Sequence, residues 1–205
     1  MYSWKDSIGN GETLAVGEET VTGDPAVRPL ARNIWGSDKT QPHYMTYGLG
    51  FYELFCLCEA LECEPVPVLN AGMTCPIQSR EYTVYPVSSP EFQTFVQDAL
   101  DLAEFCRGGT ATRWGAVRAA MGHPEPFSLN CLAIGNEQWQ TEYYEHYLAF
   151  VAAFEEAAEK DPDIYGGITF IVANGPSSAS GEGWDYVDGY VGDEDHLTGL
   201  VDEHY

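Results

Sequence analysis

Residues 132–139 read Leu132-Ala133-Ile134-Gly135-Asn136-Glu137-Gln138-Trp139, an apolar run and a glycine that give way to an amide, a carboxylate, a second amide and an indole. A short continuous apolar run marks a strand buried on both faces, and such strands belong to parallel sheets covered by helices. The spacing predicts a strand over Asn130 to Asn136 whose C-terminal end delivers Glu137.

Outward from this stretch the same unit recurs. A helix is expected from Thr141 to Lys160, with Tyr144, Tyr147, Leu148, Val151, Phe154 and Ala158 facing inward and Asp161-Pro162 stopping it. Ile168 to Asn174 is another β-branched run, and a last strand lies near Leu200 to His204. Upstream, Phe51 to Cys63 reads as a helix and Glu64 to Asn70 as a short strand. Ser89-Pro90-Glu91 supplies an N-cap and a proline at the first helical position. Behind it Phe92, Phe95, Val96, Ala99, Leu102, Ala103 and Cys106 form one helical face that ends at Gly108-Gly109, and a shorter helix covers Arg113 to Met121. Residues 1–50 are rich in Gly, Pro, Thr and Asp and read mostly as long loops, with Trp4 and Trp35 as aromatic anchors. No linker divides the chain, so 1–205 is expected to belong to a single domain.

Each predicted strand ends in polar side chains: Asn70, Asn136 with Glu137, Asn174, then Glu203 with His204 and Tyr205. Strand C-termini converge on one mouth in a (β/α)8 barrel, where the active site is built. A doubly wound sheet also binds ligands there but advertises a glycine-rich phosphate loop, and neither GxGxxG nor GxxxxGK[ST] occurs. The fold class is therefore α/β, with a TIM barrel favoured.

Glu137 is the candidate catalytic residue. Glycoside hydrolysis needs an acid to protonate the leaving oxygen and a second carboxylate, about 5–5.5 Å away in retaining enzymes, to attack the anomeric carbon. Asn136 could hydrogen-bond a ring hydroxyl and Trp139 could pack on a sugar face. An isolated Asn-Glu at a strand end also reads as a simple helix cap. His204 and Tyr205 fit either ordinary packing or a polar wall that orients substrate. His43, His123, His146 and His196 lack ligand spacing and read as structural or surface residues, and Gly192-Asp193-Glu194-Asp195 reads as a solvated loop rather than a calcium site.

Nine Lys and Arg against 32 Asp and Glu give a net charge of −23, which repels phosphate backbones and anionic headgroups. Nucleic acid and membrane surfaces are thus poor partners, whereas a neutral sugar is compatible. No window approaches the roughly 18 apolar residues of a membrane helix. The start MYSWKDSIGN lacks the features of a secretory signal, and localisation stays undetermined. Cys56, Cys58 and Cys63 lack the spacing of a zinc site, and Cys56 and Cys63 share a helical face as buried free thiols.

Six segments carry a resemblance: WKDSIG (Trp4–Gly9), YGLGFYE (Tyr47–Glu53), RWGAVR (Arg113–Arg118), GHPEPF (Gly122–Phe127), IGNE (Ile134–Glu137) and VDEHY (Val201–Tyr205). In this order and spacing the chain resembles the catalytic barrel of glycoside hydrolase family 51, the α-L-arabinofuranosidases. The resemblance implies a retaining hydrolase that removes terminal α-L-arabinofuranosyl groups from arabinoxylan, arabinan or their oligosaccharides. By motif, Glu137 matches the family's general acid/base, Asn136 its sugar-contacting neighbour, and His204 and Tyr205 the start of a His-Tyr-Tyr segment lining the same pocket. It implies no metal and no organic cofactor. Family members are longer, with strands before WKDSIG, a nucleophile Glu beyond the His-Tyr-Tyr segment and an added β-sandwich. The chain accordingly resembles an internal fragment, a partial (β/α)8 barrel of roughly the middle strands and helices, expected to be inactive alone. A homo-oligomer of the full-length parent stays open. Rival readings are another retaining barrel glycosidase, of xylanase or endoglucanase type, and a non-catalytic carbohydrate-binding relative.

Overall fold

The computed structural model describes residues 3–9, 31–32, 44–45, 47–74, 82–175 and 200–204. Trp35, His43, Cys75, the acidic run 192–195, His196, Tyr205 and most of 1–50 lie outside them. The order is α1 (Trp4–Ser7), β1 (Ala31–Arg32), β2 (Tyr44–Met45), α2 (Phe51–Ala60), β3 (Val68–Leu69), α3 (Pro90–Arg107), α4 (Arg113–Ala120), β4 (Cys131–Ile134), α5 (Thr141–Lys160), α6 (Pro162–Tyr165), β5 (Thr169–Ala173) and β6 (Leu200–Asp202). The chain forms two compact units, Met1–Pro65 with Glu104–Ser128, and Val66–Ala103 with Leu129–Tyr205.

In the first unit β1 and β2 pair antiparallel. The Ser7 hydroxyl accepts from Phe51 N–H at 3.0 Å, joining α1 to the start of α2, whose Glu53 carboxylate accepts from Gly50 N–H at 2.8 Å. Trp4 packs against Trp114 and Phe105 with ring centroids 5.0 and 5.5 Å apart, and Phe55 stacks on Phe127 at 5.4 Å. The fully buried Arg118 is held by main-chain oxygens, with the Glu125 carboxylate near enough to favour its charge. Its guanidinium donates to the carbonyls of Phe105 (2.6 Å), Cys106 (3.0 Å), Gly108 (2.8 Å), His123 (3.0 Å) and Pro124 (3.0 Å). Two of these are terminal carbonyls of α3, the groups a helix end leaves without partners.

The close approach of α4 to the α3–α4 turn depends on Gly115. A Cβ there would lie 2.1 Å from the Gly109 oxygen and 2.6 Å from the Gly108 oxygen. Helix propensity favours Gly115→Ala by about 1 kcal/mol, but overpacking against backbone costs about 1–3 kcal/mol. Gly115→Ala is therefore expected to lower the denaturant midpoint of the unit, and a raised midpoint would contradict the packing.

Two expectations about residues 51–70 need correcting. The helix over Phe51 to Cys63 ends at Ala60, and Glu62 follows with φ +54°, so Cys63 leaves the helical face and is exposed. Cys56 is only half-buried, and among the described cysteines Cys106 alone is buried. The predicted strand Glu64 to Asn70 shrinks to Val68–Leu69, because Pro65 and Pro67 cannot donate to a ladder.

The second unit is a mixed α/β arrangement around a four-stranded parallel sheet ordered β3-β4-β5-β6. Each strand pairs with its successor among the described strands, with no reversal of order. Register places Leu132 beside Phe170 and Ile134 beside Val172. These four are buried on the helix side, where Phe170 meets Phe154 of α5 at 5.1 Å. The opposite side carries Val68, Ala133, Ile171 and Leu200, of which Val68 and Leu200 are 49% and 46% exposed.

The predicted limits of α5 hold, but its buried face also takes in Tyr143, His146 and Phe150, whereas Leu148 and Ala158 are only half-buried. Asp161 does more than stop α5: its carboxylate accepts from Ile164 N–H at 3.2 Å and caps α6. No helix among the described residues is long and apolar enough to cross a membrane.

Candidate active site

The site lies in the second unit at the C-terminal ends of β4, β5 and β6. After Ile134 the chain turns through Gly135 at φ +81°, and Glu137 sits at φ +57°, a left-handed conformation that few side-chain-bearing residues adopt. The Gln138 side-chain oxygen accepts from Asn136 N–H at 2.5 Å, and Gly175 N–H donates to the Gln138 carbonyl at 3.1 Å. Gly135 N–H donates to Leu69 O at 2.7 Å. The turn is thereby fixed from both flanking strands. A Cβ on Gly135 would lie 2.5 Å from the Gln138 oxygen and 2.7 Å from the Tyr143 ring, so the position also needs glycine for space.

This turn presents Glu137 to the chain just past β6. Glu137 Oε1 lies 3.2 Å from His204 Nδ1, and Asp202 Oδ2 lies 3.2 Å from His204 Nε2. All three side chains are partly accessible, at 33%, 30% and 38%. A charged Asp202 favours the tautomer with its proton on Nε2, which leaves Nδ1 to accept from Glu137 when that carboxyl is protonated. When the imidazole carries both protons, it donates to both carboxylates. Bracketed by two carboxylates, the imidazole restrains the orientation of Glu137, which a group that transfers a proton requires.

Of the residues named from the sequence, the fold brings Glu137 and His204 together from positions 67 apart. Asn136 is exposed and Trp139 half-buried on the same turn. Asn70 is engaged locally, its side-chain oxygen accepting from Gly72 N–H at 2.7 Å and Met73 N–H at 3.3 Å. Asn174 is 1% exposed, and neither atom of its amide has a hydrogen-bond partner among the described residues. His146 is a buried strut whose ring nitrogen contacts Ala71 O at 2.6 Å beside Phe92.

Asp202, Gln138 and Tyr143 are the members that sequence reasoning did not single out. The Tyr143 phenol is fully buried, donates to Ile134 O at 2.6 Å and accepts from Ala173 N–H at 2.7 Å. Burial pushes its pKa well above the ordinary value, so the hydroxyl keeps its proton. Its proximity to Glu137, six residues along, was the available signal. No group of three or more His, Cys, Asp or Glu side chains among the described residues is arranged to hold a metal ion.

Comparison with known proteins bears on this arrangement. A family model described as the alpha-L-arabinofuranosidase 1 domain matches residues 1–205. The chain is 33% identical over 205 residues to an extracellular exo-alpha-L-arabinofuranosidase of Streptomyces chartreusis, covering 100% of this chain and 21% of that protein. It is 44% identical over 118 residues to alpha-L-arabinofuranosidase 2 of Arabidopsis thaliana, covering 57% of this chain and 16% of that one. The chain thus spans about a fifth of the length of these relatives. A solved family 51 alpha-L-arabinofuranosidase from Bifidobacterium longum superposes with a TM-score of 0.64 at 16% identity, covering 100% of this chain and 32% of the other, which supports the fold. Residues 1–205 belong to the α-L-arabinofuranosidase 1 domain family.

Proposed function

We propose that the polypeptide carrying this chain is an α-L-arabinofuranosidase. It releases terminal non-reducing α-L-arabinofuranosyl groups from arabinoxylan, arabinan or their oligosaccharides by a retaining double displacement. Glu137 is the general acid/base. It first protonates the departing glycosidic oxygen, then takes a proton from the water that hydrolyses the glycosyl-enzyme intermediate. His204 orients that carboxyl, Asn136 and Trp139 offer an amide and an indole to the sugar, and Tyr205, outside the described residues, is assigned to substrate binding by its motif alone. By the family resemblance the nucleophilic carboxylate is assigned to a strand outside residues 1–205.

The sheet of the second unit is read as consecutive strands of a (β/α)8 barrel. Its unreversed strand order supports that reading, as doubly wound sheets reverse at a switch point. So do Val68 and Leu200, apolar residues exposed on the side that a closed barrel would fill.

The observation that carries the proposal is the Glu137–His204 contact at parallel strand ends in a chain of this family. The test is to supply the full-length polypeptide with an aryl α-L-arabinofuranoside and with arabinoxylan. Free arabinose without shortening of the xylan backbone is expected, and xylo-oligosaccharides instead would reject the reading. Residues 1–205 expressed alone are expected to be silent, and turnover by them would reject the placement of the nucleophile.

A further inference from the structure

In a regular parallel ladder Ile134 O and Ala173 N–H would be satisfied by backbone partners on neighbouring strands. Here a side-chain hydroxyl stands between them. Tyr143, in the first turn of α5, donates its phenolic proton to Ile134 O at 2.6 Å and accepts from Ala173 N–H at 2.7 Å. The backbone pairing of β4 with β5 ends at Ile134 and Val172, and the next direct link is Gly175 N–H to Gln138 O. The phenol occupies the gap that the two strand ends leave.

Both halves of the candidate site are tied to this hydroxyl. Ile134 precedes Glu137 by three residues. Ala173 pairs with Asp202, and Asn174 N–H donates to Asp202 O at 3.0 Å, two residues before His204. The Tyr143 ring also lies under the turn itself, filling the space a Cβ on Gly135 would take.

We propose that Tyr143 is a positioning residue for acid/base catalysis: as a wedge between the ends of β4 and β5, its hydroxyl sets the distance and angle at which Glu137 meets His204. Tyr143 touches no substrate in this scheme and acts through the direction of the Glu137 carboxyl. The proposal rests on the assignment of Glu137 as the general acid/base. Its chemical consequence is selective, because loss of orientation harms the step that needs a well-aimed proton more than a step whose leaving group departs unaided.

Tyr143→Phe keeps the ring and removes the hydroxyl. In the full-length polypeptide, kcat/KM on an unactivated arabinosyl oligosaccharide is expected to fall about 10- to 100-fold, a share of what a general acid contributes. On an arabinofuranoside of a strongly acidic phenol the fall in kcat/KM, which reports only formation of the glycosyl-enzyme, should stay within about threefold, because little proton transfer is needed for departure. Gly135→Ala, which presses on the same ring from the turn, should reproduce the asymmetry. Amide exchange supplies a readout independent of turnover. Asn136 and Gly175 should exchange about tenfold faster in Tyr143→Phe, a modest share of the range over which local opening varies, while Leu132 in the body of β4 is unchanged.

Equal losses on both substrates together with uniformly faster exchange would mark a purely structural residue and overturn the proposal, as would an unchanged substrate ratio. If the wild-type protein turns over neither arabinofuranoside, the functional reading fails on its own. The exchange of Asn136 and Gly175 then decides the wedge, and unchanged exchange overturns it.

Discussion

Glu137→Gln in the full-length polypeptide is expected to lower kcat on natural arabinosyl oligosaccharides by about 10²–10⁴-fold, the range over which a positioned general acid contributes. The amide is close to isosteric with the carboxylate and can still bond His204, so folding and the turn at residues 135–138 should be undisturbed. The loss should shrink on substrates whose leaving phenol is acidic, because protonation of the glycosidic oxygen is then dispensable. Hydrolysis of the intermediate would become limiting, as it still needs a base to activate water. Adding azide to Glu137→Ala sharpens the test. The anion needs no base: it attacks the anomeric carbon of the glycosyl-enzyme, expels the enzyme carboxylate and gives an arabinofuranosyl azide of retained configuration. Equal losses on all leaving groups, with no azide product, would remove Glu137 from the acid/base role.

The second large effect concerns stability. Arg118→Met is expected to cost the first unit about 3–5 kcal/mol, as several buried carbonyls lose a charged donor at about 1–3 kcal/mol each. Five carbonyls lose a charged donor at once, although that of Cys106 keeps Phe127 N–H at 2.8 Å. Burial lowers the Arg118 pKa, but guanidinium remains charged in proteins, so the loss should not depend on working pH. Arg118→Lys should recover only part of it, because one ammonium with three donors cannot reach carbonyls arranged around a planar fork. Chemical denaturation, with amide exchange over residues 104–128, reads the effect. A midpoint unchanged from the parent would show that the carbonyls find other donors.

Arg118 also shows where the sequence falls short as a guide. In RWGAVR it reads as one more charge on a short helix, since its partners are main-chain oxygens whose positions no residue letter encodes. Tyr143 was obscured differently. Tyr143, Tyr144 and Tyr147 all fall near one helical stripe, and periodicity cannot tell a phenol that fills space from one that completes a ladder. By contrast, the strands at Asn130–Asn136 and Ile168–Asn174 and the helices behind Pro90 and Thr141 were legible to within one or two residues. Apolar runs and caps dictate them locally. Glu137 was legible for the same reason, as a charge ending an apolar strand. Asp202 escaped notice because its role appears only when β6 pairs with β5 and sets it beside His204.

The backbone of Glu137 has an evolutionary corollary. At φ +57° an L-residue carries about 1–2 kcal/mol of strain that glycine would not. Selection for stability alone would therefore drive position 137 toward glycine, and only selection for a carboxyl at that spot opposes it. A gene copy released from that demand should lose Glu137 early while keeping Gly135 and Gln138, whose space-filling and hydrogen bonds the fold needs whether or not a proton is transferred. Glycine at 137 in an otherwise intact relative would thus mark a protein that has kept the shape of this site and given up its chemistry.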